Sequence, residues 1–145
     1  MQEVAEDADF EAHSRRRAVR VTETCDGGVL GDPELLRSAV ENVVRNAVRH
    51  TREGTAVEIG MRRESPSEPP RVRIWVRDHG AGVPEPALLY IFEPFYRVGH
   101  ARERGTGGVG LSLTIVHRTT RLHGGTVRAA NAPDGGLVVE LSVAV

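Results

Sequence analysis

Apolar residues at Leu36, Val40, Val43, Val44 and Ala47 recur every three or four positions in an otherwise polar run. That spacing predicts an amphipathic helix ending near His50. Asp32-Pro33-Glu34 supplies its start, with Asp32 as N-cap and Pro33 at the first helical position. Apolar and polar residues alternate over 18–24 (AVRVTET), 55–62 and 71–77 (RVRIWVR), which predicts strands. Gly27-Gly28 turns the chain into a short strand at Val29-Leu30, and ESPSEPP is a Pro/Ser loop between two of the longer strands. A second helix is expected over 111–122, stopped by Gly124-Gly125, and then a closing hairpin, 126–131 with 137–144, around Pro133–Gly136. Residues 1–17 are polar, with Phe10 and Ala12 as weak apolar points, and read as a short lead-in helix.

From Asp78 to Gly110 the chain has little periodicity, and a stretch this long is either a functional lid, placed at about 84–110, or disordered. This order predicts an α/β (α+β) two-layer sandwich: a mixed five-stranded sheet with about three helices on one face, in a single domain over residues 1–145.

Composition changes this picture in four ways. The 39% hydrophobic and 27% charged residues belong to an ordinary globular chain, and a net charge of −1 gives no bulk attraction to nucleic acid or to an acidic membrane surface. The single cysteine, Cys25, excludes an intramolecular disulfide and fits a reducing compartment. No apolar stretch approaches the ~20 residues of a transmembrane helix and no signal peptide opens the chain, so a membrane anchor, if the natural protein has one, is expected elsewhere. All 19 basic residues are arginine. Without lysine, neither a P-loop nor a eukaryotic-type protein kinase site can be built.

Three segments carry candidate chemistry. In ENVVRNAVRH, residues 41–50, Asn42 and Asn46 are four apart and share a helix face, with Arg49 one turn further on. An amide oxygen can ligate Mg²⁺, which takes its other oxygens from water and phosphates. Two solvated asparagines are the plainer alternative, although asparagine is a poor mid-helix residue. Asp78-His79-Gly80-Ala81-Gly82-Val83-Pro84 follows a strong strand. Its glycines allow backbone to approach a planar ligand, and its carboxylate can accept from an exocyclic amine such as that of adenine; a simple Asp-Gly turn is the alternative. Gly105-Thr106-Gly107-Gly108-Val109-Gly110 precedes a helix and offers a phosphate cradle. A dinucleotide-binding reading fails, because no strand precedes these glycines and residue 130 is alanine. No G-x-S-x-G elbow occurs, and His117 and His123, six apart on a helix, make a poor metal pair.

Together and in this order, these segments resemble the catalytic and ATP-binding domain of bacterial sensor histidine kinases, whose fold is shared with DNA gyrase B, Hsp90 and MutL. ENVVRNAVRHT looks like the N box, DHGAGVP like the G1 box, IFEPFYR like the F box and GGVGLSLTIV like the G2 box, and LHGGTV matches the strand entry that follows; the likeness spans about residues 20–145.

The resemblance implies ATP and Mg²⁺ as ligands. It implies that Asn46 holds the metal, with Asn42 beside it, and that Arg49 and Arg97 contact phosphate. Asp78 would read adenine, Gly80, Gly82 and Val83 would shape that pocket, and His50 would lie against the base. Gly107, Gly108, Gly110, Leu111 and Ser112 would belong to the lid and the helix start behind it.

Where gyrase and Hsp90 relatives carry a water-activating glutamate, residue 42 is an amide and cannot be a general base. Glu41 lies about 100° around the helix and should not substitute. The G2 segment departs from the usual pattern at Val109 and Ser112. The family's acceptor histidine is normally followed by an acidic residue, whereas the six histidines here are followed by Ser, Thr, Gly, Ala, Arg and Gly. The expected partners are therefore a separate histidine-bearing dimerisation domain of the same kinase and a cognate response regulator, with no nucleic acid and no direct membrane contact. The expected location is the cytoplasmic part of a membrane-anchored kinase. A nucleotide-sensing module with a dead site and an anti-sigma-factor-type serine kinase are the alternatives, and FEPFYR argues against the second.

Overall fold

The computed structural model describes residues 1–25, 31–64, 70–93 and 109–144, with side chains in the last helix described from Leu113 onward. Helix α1 (Gln2–His13) leads into strand β1 (Ala18–Glu23), and helix α2 (Pro33–His50) follows. Strands β2 (Ala56–Glu64) and β3 (Arg71–Arg77) come next, then a 3₁₀ turn at Glu85–Ala87, helix α3 (Val109–Leu122), and strands β4 (Thr126–Asn131) and β5 (Leu137–Ala144). The sheet order is β1-β2-β3-β5-β4; β1 and β2 run parallel and every other pair is antiparallel.

Asp32 caps α2, its carboxylate accepting from the Glu34 and Leu35 amides at 2.9 and 3.2 Å. The buried face of α2 is Ala39, Val40, Val43, Val44, Ala47 and Val48. It lies on Val57, Ile59, Val72, Ile74 and Val76 of the sheet, joined by Leu113 and Val116 of α3 and by Val139 and Leu141 of β5. Each valine, leucine or isoleucine among them contributes about 1.5–3 kcal/mol on burial, and the β-branched ones favour both strand pleats and tight packing.

Three expectations need adjustment. Strand β2 runs two residues further than 62, because Glu64 pairs with Arg71 and the ladder continues to the Pro/Ser loop. Helix α3 begins at Val109, two residues earlier than its apolar period suggested. The first part of the expected lid is ordered packing: Ala87 and Ile91 are buried, and Thr114 donates to the Phe92 carbonyl at 3.1 Å while the Phe92 and His117 rings stack at 6.1 Å. The short strand at Val29-Leu30 and lid residues 94–108 lie outside the described residues.

Candidate functional site

The C-terminal half of α2 and the loop leaving β3 meet at the edge of the helical layer. Gly80 makes the meeting possible, because a Cβ there would stand 2.2 Å from the His50 carbonyl oxygen. A chain of hydroxyls that starts at the buried Thr51 ties the same two segments. The His79 amide donates to Thr51 Oγ1 at 3.0 Å, Thr51 Oγ1 lies 2.8 Å from Thr55 Oγ1, and Thr55 donates to the Arg52 carbonyl. With Thr55 committed as donor to Arg52, Thr51 donates to Thr55 and keeps its lone pair for His79. Arg52 Nε adds a bond to the His79 carbonyl at 3.1 Å.

Asp78 is the next residue after β3 and is only 3% exposed. Its amide donates to the Leu137 carbonyl at 3.0 Å, and its Oδ1 accepts from the Gly80 and Leu137 amides at 2.9 and 3.2 Å. Both described donors fall on Oδ1, so the carboxylate is fixed through one oxygen and can offer the other to a ligand amine.

Asn46 is 8% exposed, and its amide oxygen is buried with no hydrogen-bond partner among the described residues. A buried polar atom left unsatisfied costs about 1–3 kcal/mol, and its presence on α2 calls for an explanation. Asn42 and Arg49 are half-buried on the same part of the helix. His50 is exposed as a residue, but partial desolvation of its ring by the atoms around it lowers the imidazole below its ordinary pKa; the Asp78 charge opposes this, and the Arg49 and Arg17 charges reinforce it. The uncharged ring is thereby favoured beside Asp78. Glu41 faces away toward α1 and pairs with Arg37 at 2.9 Å, so its carboxylate is engaged on the other flank.

Asn42, Asn46, Arg49, His50, Asp78, Gly80, Gly82 and Val83 are thus gathered by α2 and one loop. Gly110, Leu111 and Ser112 form the first turn of α3, where helix amides have no intrahelical acceptor. Arg97, Gly107 and Gly108 lie outside the described residues. A groove of about 750 Å³ between α1 and α2 shares Arg49 with this site. It runs along Glu41, Val44, Arg45 and Val48 on the other flank of the helix and adjoins the site at Arg49.

Sequence reasoning missed Thr51, Asn131 and Gly136. Thr51 carried a signal, since it directly follows the ten-residue segment with the asparagines. Asn131 and Gly136 read only as hairpin residues, yet a Cβ on Gly136 would stand 2.0 Å from the Asp78 carbonyl oxygen, and its φ is +92°. Gly136→Ala is expected to cost roughly 2–4 kcal/mol through strain and displacement of Asp78. Urea unfolding checks this, and a loss under 1 kcal/mol would show that the loop can shift without penalty.

Residues 31–145 match the family of histidine kinase-, DNA gyrase B-, and HSP90-like ATPases. Sensor histidine kinase CpxA of Escherichia coli (strain K12) is 39% identical over 136 residues, which make up 93% of this chain and 28% of CpxA. Among solved structures, a mycobacterial sensor histidine kinase, MprB, superposes with a TM-score of 0.79 at 27% identity, over 99% of this chain and 93% of that one. ShkA, solved at full length in complex with AMPPNP, gives 0.81 at 29% identity, over 98% of this chain and 28% of ShkA. The chain belongs to this ATPase family, as the ATP-binding catalytic domain of a sensor histidine kinase. It spans under a third of the length of CpxA.

Proposed function

We propose that this chain, acting as one domain, binds Mg·ATP and donates the γ-phosphoryl group to a histidine on the dimerisation domain of the same kinase, for relay to a response regulator. The observation that carries this reading is the orphaned amide oxygen of Asn46, buried on the helix whose end touches the Asp78 loop. A neutral, desolvated oxygen with no donor among the described residues suits a hard cation that keeps part of its water shell. Magnesium, when bound, neutralises charge on the phosphate oxygens during transfer.

The roles of the protein's own residues follow from their chemistry. Asp78 accepts from the adenine amine, with the loop of Gly80, Gly82 and Val83 shaping the pocket and His50 presenting its uncharged ring. Asn46 orients the metal, and Asn42 donates its amide protons toward phosphate. Arg49 and Arg97 offset charge as the bond from the γ-phosphorus to the β–γ bridging oxygen breaks, ADP departs and a phosphorus–nitrogen bond forms on the acceptor imidazole. Asn42 cannot take a proton from water, so the site favours transfer over hydrolysis. Gly107, Gly108 and Gly110, with Leu111 and Ser112 at the start of α3, supply backbone amides to the phosphates. Among the described residues no helix is long and apolar enough to cross a membrane; the proposed place, the cytoplasmic part of a membrane-anchored kinase, rests on the likeness to sensor histidine kinases.

Incubation with γ-labelled ATP tests the assignment. The chain alone should acquire no acid-labile phosphohistidine and release phosphate slowly. A dimerisation domain added in trans should become labelled, though weakly, because the tether's effective concentration is missing. Strong self-labelling of the isolated chain would overturn it.

A further inference from the structure

The loop from Asp78 to Val83 is secured at both ends, and the two ends use different elements. Its start is held by β5 and by the Thr51–Arg52 corner at the end of α2. Its end is held by one side chain from β4. Asn131 Oδ1 accepts from the Val83 amide at 2.8 Å, and Asn131 Nδ2 donates to the Val83 carbonyl at 2.6 Å. Both main-chain groups of Val83 are engaged by one primary amide, which imitates a rung of β ladder where no strand is present. The pairing also fixes the amide's orientation, since the flipped arrangement would set oxygen against oxygen and donor against donor.

Asn131 closes β4 opposite Leu137, and Leu137 donates to Asp78 Oδ1. The hairpin therefore grips the carboxylate and the far end of its loop within one register step. Gly82 passes close to the same amide: a Cβ there would stand 2.7 Å from Asn131 Oδ1, so a side chain at this position would disturb the grip. Few side chains could replace this grip. Ionised aspartate supplies no donor, serine has a single oxygen to meet both main-chain groups, and glutamine is one methylene too long.

We propose that Asn131 is a positioning residue for base recognition: by clamping Val83 it holds the Asp78–Val83 loop in the shape that receives adenine, without itself touching the nucleotide. This rests on the reading of Asp78 as the adenine acceptor. The effect should fall on the base and spare the phosphates, which the proposed function gives to α2, Arg97 and the start of α3.

Calorimetry on the whole chain with Mg·ATP, adenosine and Mg·tripolyphosphate separates the possibilities. Asn131→Asp keeps the acceptor for the Val83 amide and sets a carboxylate against the Val83 carbonyl; Asn131→Ala removes both bonds, and Asn131→Ser restores part of one. Asn131→Asp should weaken ATP and adenosine by the same factor, about tenfold, the scale of one hydrogen bond turned to repulsion. Tripolyphosphate affinity should stay within twofold, and Asn131→Ser should fall between wild type and alanine. Unchanged ATP and adenosine affinities, or an equal loss for tripolyphosphate, would overturn the proposal. Should Asn131→Ala fail to fold, Asn131→Asp and Asn131→Ser carry the same comparison. A wild-type chain that binds tripolyphosphate but not adenosine would instead remove the Asp78 reading, and this proposal with it.

Discussion

Asp78→Asn is expected to weaken ATP binding by ten- to a hundredfold while leaving the fold nearly intact. The substitution separates the two jobs of this side chain. An asparagine oxygen in the place of Oδ1 can still accept from the Gly80 and Leu137 amides, which lie 2.9 and 3.2 Å away. The loop is therefore retained, at a stability cost of up to ~1 kcal/mol for exchanging a charged acceptor for a neutral one. The other carboxylate oxygen becomes an NH₂ group, which meets the adenine amine donor to donor. Losing a buried charge-assisted bond costs about 1.5–3 kcal/mol, which sets the range of affinity loss. GTP carries a carbonyl at that position and should bind the wild-type chain poorly. Calorimetry with both nucleotides, alongside thermal unfolding, checks this. Equal wild-type affinity for ATP and GTP would remove Asp78 from base recognition.

Asn46→Leu should likewise cost function without costing stability, here through the metal and not the base. The Asn46 amide oxygen is buried and unpartnered among the described residues, so the fold carries the penalty of desolvating it. Leucine has similar bulk and removes the polar atom; unfolding free energy should stay level or rise by up to ~1 kcal/mol. If the oxygen exists for the metal, the Mg²⁺-dependent part of ATP affinity should vanish and phosphoryl transfer to an added dimerisation domain should fall at least about a hundredfold. Denaturation curves and ATP titrations with and without Mg²⁺ measure both sides. A variant that keeps its Mg²⁺ dependence, or that loses several kcal/mol of stability, would show that the oxygen serves the fold.

Helix α2 was legible because two signals agreed: Asp32-Pro33 at its start and an apolar stripe along its length, and the structure places both as expected. Strands β3, β4 and β5 fall at their predicted residues, since alternation is strong where one sheet face is buried. Among the boundaries that slipped, β2 is carried by its ladder with β3 through Arg63 and Glu64 up to the Pro/Ser loop, and α3 takes up Val109 and Gly110 ahead of its apolar period. Asn42, Asn46 and Arg49 could be grouped because helical geometry alone puts positions four and three apart on one side.

By itself, then, the sequence determined the elements, the motif order and the candidate donors, because each depends on residues near one another in the chain. Tertiary structure decided what joins them. The contact of Gly80 with the end of α2 links residues 30 apart in the chain. The burial that leaves the Asn46 oxygen unpartnered depends on how α2 lies on the sheet. The grip of Asn131 on Val83 spans 48 residues. No local pattern encodes these three contacts, because a glycine, an asparagine or a turn residue looks the same in sequence whether it meets solvent or the backbone of another element. Only the antiparallel pairing of β5 with both β3 and β4 brings Asn131 beside the Asp78 loop.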